Sequence, residues 1–147
     1  MTNPVPGPRV GTDSTATLVD SNVVLDVLTD DPTWGAWSQT ELARARDAGR
    51  LVINPLVYAE VSTGFDRIED LDEALPTGEF DREALPYEAG FVAGKAFLTY
   101  RQRGGLRRSP LADFYIGAHA AVRRYRLLTR DAGRYATYFP TLDLILP

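Results

Sequence analysis

Short apolar runs set between long helical stretches constrain this chain more than any other feature. Leu18-Val19, RLVIN (50–54), RLLT (126–129) and LDLIL (142–146) are too short for helices and read as strands. Between them lie segments with helix punctuation. SNVVLDVLTD begins at Ser21 or Asn22, either able to cap it, and DPTWGAWSQTELARARDAG has Asp31 as a cap, Pro32 in the first turn and Gly49 as a stop. Asn54-Pro55 opens PLVYAEVSTGF, and an acidic stretch running to Leu75 predicts a short helix. PTGEFDREALP reads as a connection, YEAGFVAGKAFLTYRQR as a long helix, and Ser109-Pro110 opens LADFYIGAHAAVRRY. Gly90 and Gly94 weaken the long helix and predict close packing at both positions. Strand and helix alternate throughout, which calls for an α/β fold, a mainly parallel sheet between helical layers.

Length and composition suit one such domain. The chain has 147 residues, 44% of them hydrophobic, enough for one core. The Pro- and Gly-rich start reads as a flexible arm over residues 1–15, with the domain at 16–147. Without cysteine there is no disulfide framework and no thiolate metal site. No apolar run approaches the ~20 residues of a membrane helix, and no signal-peptide core precedes the domain, so the expectation is a cytoplasmic protein with no membrane partner. The net charge of −4 conceals an asymmetry: nine arginines between Arg101 and Arg134 face only Asp113 and Asp131. Such a basic half suits phosphate, although a solvated arginine face would look the same.

Four acids stand in apolar surroundings. Asp20 ends the first strand, and Asp131 follows RLLT, so both point to the carboxyl edge of the sheet, where parallel α/β proteins bind ligands. Asp113 lies in the first turn of a largely apolar helix, and Glu60 lies in PLVYAEV. Each has an ordinary explanation: a helix cap, a dipole partner, a turn residue, an ion pair. Together they suggest a cluster that cannot fully ionise without a cation, and an oxygen-only donor set suits Mg²⁺ or Mn²⁺ rather than zinc. His119 is six residues beyond Asp113, about 240° round the helix, and should face away from the acids.

LVDSNVVLDVL, NPLVYAEV, SPLADFYIGAHAA and LLTRDAGRYATYFP, in that order and context, resemble the PIN domain, and within it the VapC-like toxins of bacterial toxin–antitoxin pairs. The resemblance runs from about Leu18 to Leu146. It implies a three-layer α/β/α fold and a Mg²⁺- or Mn²⁺-dependent endoribonuclease with an antitoxin partner and a homodimeric state. It maps the family's acids onto Asp20, Glu60, Asp113 and Asp131, with Asp20 and Asp113 on the metal. Ser21 and Asn22 take the places of the Thr and Asn in the family's Asp-Thr-Asn opening, and Thr129 falls on its Thr-x-Asp threonine. Arg101, Arg103, Arg107 and Arg108, near the loop before Asp113, are candidates for the RNA backbone. Tyr115 and Tyr135 could stack bases but fit the core better. A PIN-type nuclease that is not a toxin is one alternative, and two further readings compete. One is an aspartyl-phosphate hydrolase of the haloacid-dehalogenase kind, weakened by Asn22 where a second acid is needed. The other is a non-enzymatic acidic-pocket binding or regulatory domain.

Overall fold

The computed structural model describes residues 15–105 and 111–147. Its elements, in chain order, are β1 (Thr17–Val19), α1 (Ser21–Leu28), α2 (Gly35–Ala48), β2 (Leu51–Ile53), α3 (Pro55–Ser62), α4 (Ile68–Ala74), β3 (Phe80–Arg82), α5 (Tyr87–Gln102), α6 (Leu111–Arg123), β4 (Arg126–Leu128), α7 (Ala132–Tyr138) and β5 (Leu144–Ile145). The strands form one sheet in the order β3-β2-β1-β4-β5, and every pairing is parallel. The α/β expectation holds.

The strand order fixes where a ligand can bind. The chain moves outward from β1 through β2 to β3, then returns to β4 on the other side of β1. With right-handed crossovers, the helices before β3 lie on one face and those after it on the other. Between β1 and β4 the flanking connections diverge and leave a crevice beyond the carboxyl ends of the strands. The core is the apolar filling of both faces: Leu18, Val19, Val52, Ile53, Leu127 and Leu128 are all buried, as continuous runs in a doubly covered sheet must be.

Several local expectations are corrected. The connection PTGEFDREALP contains a strand, β3, which pairs with β2 through Leu51–Phe80, Val52–Asp81 and Ile53–Arg82. It is an edge strand buried only at Phe80, so its sequence carries no apolar run. The stretch after Asp131, for which the sequence suggests no more than a turn, forms α7. Helix α2 begins at Gly35 rather than at Pro32, because Asp31 accepts from the backbone N–H groups of Thr33 and Trp34 and caps a preceding turn. Gly90 does mark a close approach, since a Cβ there would lie 3.0 Å from the Tyr115 hydroxyl, but nothing stands near Gly94. The N-terminal arm before Thr15 and the Ser109-Pro110 helix start lie outside the described residues.

Candidate metal centre

Asp20 is the residue on which β1 stops and α1 starts. Its N–H continues the ladder to Leu128 O at 2.9 Å, and its side chain caps α1 by accepting from Ser21 N at 2.8 Å. The other donors to its carboxylate come across the switch point, from Thr129 Oγ1 at 2.9 Å and Tyr135 Oη at 3.1 Å, both to Oδ2. Asn22 ties the two strand ends together: its amide lies 3.4 Å from both Asp20 Oδ2 and Thr129 Oγ1, while its oxygen accepts from Arg130 N at 3.3 Å. Asp20 is only 3% exposed, and every donor to it among these bonds is neutral. Desolvation, reinforced by the nearby charge of Asp113, outweighs the Thr129, Ser21 and Tyr135 hydrogen bonds and pushes its carboxyl up from 3.8 to about 6.

The other acids attach to this centre through neighbours. Ser21 Oγ donates to Glu60 Oε2 at 2.7 Å, joining α1 to α3, while Glu60 Oε1 is buried with no hydrogen-bond partner. Asp113, in the first turn of α6, is raised by desolvation and by Asp131, against the lowering effect of Arg134. Asp131 caps α7 by accepting from Arg134 N at 3.4 Å. Arg134 then folds back, its Nη1 bonding Asp113 Oδ2 and lying 3.6 Å from Asp131 Oδ2. The ordinary explanations thus hold for Asp20 and Asp131, both of which cap helices, alongside their place at the sheet edge.

The parts that three residues play here escaped the sequence reading, which placed Tyr135 correctly in the core. Tyr135 is buried and cannot stack a base; instead it orients Asp20, and its hydroxyl is pushed well above the usual range by burial and the surrounding acids. Its ring reaches that position because Gly117 on α6 has no side chain: a Cβ there would lie 2.7 Å from Phe139 and 3.0 Å from Tyr135. Arg134 was invisible without α7. The third, Arg130, forks onto buried Asp26 (Nε–Oδ2 2.6 Å, Nη2–Oδ1 3.0 Å) and lies over the Trp34 ring at 5.3 Å. Tyr115 is half-buried against α5 beside Gly90.

His119 does lie away from the acids. Asn54 caps α3 through Oδ1, so its amide nitrogen faces His119 Nδ1 at 3.1 Å, and Nε2–H must then donate to Glu83 at 3.0 Å. Burial lowers the imidazole pKa, against the opposing effect of Glu83. Of the proposed RNA contacts, Arg101 packs over Phe97 and Arg103 over Tyr138, while Arg107 and Arg108 lie outside the described residues.

As they stand, no three Asp, Glu or His side chains among the described residues are arranged to hold a metal ion. The donor set nevertheless fits Mg²⁺ or Mn²⁺. Mg²⁺ typically takes one or two carboxylates and completes its shell with water and phosphate oxygens. Asp20 and Asp113 are two mutually repelling acids, both raised, and Glu60 Oε1 is a buried oxygen without a donor.

The PIN domain family model matches residues 17–140. None of the curated proteins matches the chain. Among solved structures, VapBC2 from Rickettsia felis, bound to a DNA fragment from its promoter, aligns at 17% identity and a TM-score of 0.69, over 90% of this chain and 98% of that one. VapBC-1 from nontypeable Haemophilus influenzae aligns at 18% and 0.65, over 88% and 96%. DNA-bound VapBC from Salmonella typhimurium aligns at 14% and 0.65, over 89% and 97%. At such identities the likeness is one of fold. The family match spans Asp20, Glu60, Asp113 and Asp131, and the chain belongs to the PIN domain family.

Proposed function

We propose that this protein is a Mg²⁺- or Mn²⁺-dependent endoribonuclease acting as the toxin of a toxin–antitoxin pair in the cytoplasm. The observation that carries this reading is Asp20: a buried carboxylate at the topological switch point, held by neutral donors beside a second acid. Such a site is completed by an external cation. Asp20 and Asp113 would hold it, with Glu60 and Asp131 beside them. When bound, the ion supplies an activated water and neutralises charge growing on the phosphate. The chain's own residues do the rest. Thr129, Tyr135 and Ser21 N aim the Asp20 carboxylate, Ser21 Oγ places Glu60, and Asn22 holds the two strand ends in register. The arginines before α6 would contribute backbone affinity.

The toxin role rests on the solved VapBC assemblies that share the fold, which also favour a cognate antitoxin as partner, while a homodimeric state follows from the family resemblance alone. No helix among the described residues is long and apolar enough to cross a membrane. Purified protein with Mg²⁺ or Mn²⁺ should cut single-stranded or loop RNA, and EDTA or Asp20→Asn should stop it. Cleavage undiminished in EDTA, or in Asp113→Asn, overturns the mechanism. Growth arrest on expression, relieved by a protein encoded beside it, tests the toxin role separately.

A further inference from the structure

Arg134 occupies a position that helix electrostatics disfavour. It is the third residue of α7, in the turn where the backbone dipole is positive and a cation is mildly disfavoured. The two acids explain its presence: Nη1 bonds Asp113 and faces Asp131 across 3.6 Å. Arg130, four residues earlier, provides the contrast. Nε and Nη2 of Arg130 together grip a single buried carboxylate, and its guanidinium lies over Trp34. Arg134 is joined to Asp113 through one nitrogen, and its side chain is 32% exposed, against 29% for Asp113 and 40% for Asp131. A planar, two-edged donor used through one atom, at a solvent-reached site, is well suited to exchanging partners. Its hold on Asp113 engages Oδ2, an oxygen that a metal ligand would have to offer.

We infer that Arg134 is a resident counter-ion that a divalent cation displaces from Asp113, and that the freed guanidinium then binds a phosphate of the RNA backbone. The first half concerns the metal-free protein. Asp113 and Asp131 would repel each other without a cation, and Arg134 supplies one. The second half rests on the nuclease reading above. Once a metal holds Asp113, an arginine on the adjoining helix turn faces a substrate whose charge it can pair through two parallel N–H···O bonds. A single side chain would thereby disfavour the empty-handed binding of metal and favour metal and RNA together.

The decisive measurement uses Mn²⁺ alone. Arg134→Gln removes the competing charge and keeps hydrogen-bonding capacity, so by calorimetry it should bind Mn²⁺ about tenfold more tightly than wild type. At saturating Mn²⁺ the same variant should cleave RNA with kcat/KM lower by about tenfold or more, carried mainly by KM, and Arg134→Lys should recover part of the loss. Unchanged or weaker Mn²⁺ binding in Arg134→Gln overturns the proposal, as does tighter Mn²⁺ binding with undiminished kcat/KM. A purely structural arginine would weaken both. Should Arg134→Gln fail to fold, side-chain NMR of the wild-type protein decides. The Arg134 Nε–H resonance should move toward the exposed-arginine position on adding Mg²⁺, and a resonance that stays put overturns displacement. If wild type binds Mn²⁺ but cuts no RNA, the nuclease reading fails, while the Mn²⁺ comparison still tests the displacement on which the second half depends.

Discussion

Asp20 and Asp26 lie six residues apart, one ending β1 and the other on α1, and both are only 3% exposed. Their surroundings are opposite in kind. Asp26 receives Nε and Nη2 of the Arg130 guanidinium and a hydroxyl from Ser38 at 2.7 Å. Asp20 receives a backbone N–H and two hydroxyls. Burial is the same, yet one acid has a built-in cation and the other has none. This fold can therefore provide an arginine for a buried carboxylate, and leaving Asp20 without one is specific to the carboxyl edge of the sheet. Asp26 is part of the scaffold, joining α1 to α2 and to the loop after β4, whereas Asp20 is left for a partner from outside.

The largest effect should follow from breaking the scaffold pair. Asp26→Asn leaves Arg130 without its charge partner beside a buried amide, and should cost about 3 kcal/mol or more of stability in urea. Adding Arg130→Met should recover part of that loss, because the cost lies in the orphaned charge. A cost below about 1 kcal/mol would mean that the two acids differ less than their contacts imply.

Next comes the pH dependence of Asp20. Its carboxyl is raised from 3.8 to about 6, so between those values the folded protein keeps a proton that the unfolded chain has lost. Stability from this group is whole below the lower value and declines as pH rises to the upper one. The decline totals about 3 kcal/mol at ~1.4 kcal/mol per unit. Asp20→Asn cannot titrate and escapes that decline. Relative to wild type it should gain stability between about pH 4 and about pH 7.5, and urea midpoints at the two values measure the gain. A difference independent of pH would show that Asp20 ionises as freely as in the unfolded chain.

A divalent cation should separate the two acids again, by slightly less. At a hundred times its dissociation constant, Mg²⁺ or Mn²⁺ should stabilise wild type by about 2.7 kcal/mol. Asp26→Asn should gain as much, and Asp20→Asn much less. Equal gains in both variants would remove Asp20 from the ligand set. Melting curves with and without the ion read this directly.

The same contrast shows how much was legible in the sequence. Asp20 could be found because it closes an apolar run, and Asp131 because it follows another, so strand periodicity alone places both on one edge. Asp26 could not. In SNVVLDVL it reads as the polar face of an amphipathic helix, and only α2 packing over it, with Ser38 and Arg130, makes it buried. Strands β1, β2 and β4 were legible because both sheet faces are covered, whereas β3 was not, since Phe80-Asp81-Arg82 buries one side chain of three. Helix α7 escaped because Gly133 and Thr137 are poor helix formers, so its stability comes from Asp131 capping and from Tyr135 and Phe139 packing on Gly117. Missing α7 hid the roles of Arg134 and Tyr135 together, and with them the interior hydrogen bonding of the site.

The smallest expected effect tests how Asp20 is held. Tyr135→Phe keeps the ring that packs on Gly117 and Phe139 and removes only the hydroxyl, 3.1 Å from Asp20 Oδ2. A hydroxyl donating to a carboxylate favours the ionised form, so its loss should push the Asp20 carboxyl still higher than about 6. The cost in stability should be about 1 kcal/mol at a pH where Asp20 is ionised. It should shrink below the Asp20 titration, where the bond is made to a neutral acid and is weaker. The sign follows from the same linkage: removing a group that stabilises the charged state matters only where that state is populated. Asp26 is the internal control, because its side-chain partners are Ser38 and Arg130. Carbon-detected NMR titration of the two carboxyls in wild type and Tyr135→Phe makes the comparison in one experiment. An Asp20 midpoint that stays where it was, with the stability cost equal at both ends of the pH range, would mean that Tyr135 serves packing alone and that Thr129 and Ser21 carry the orientation of Asp20.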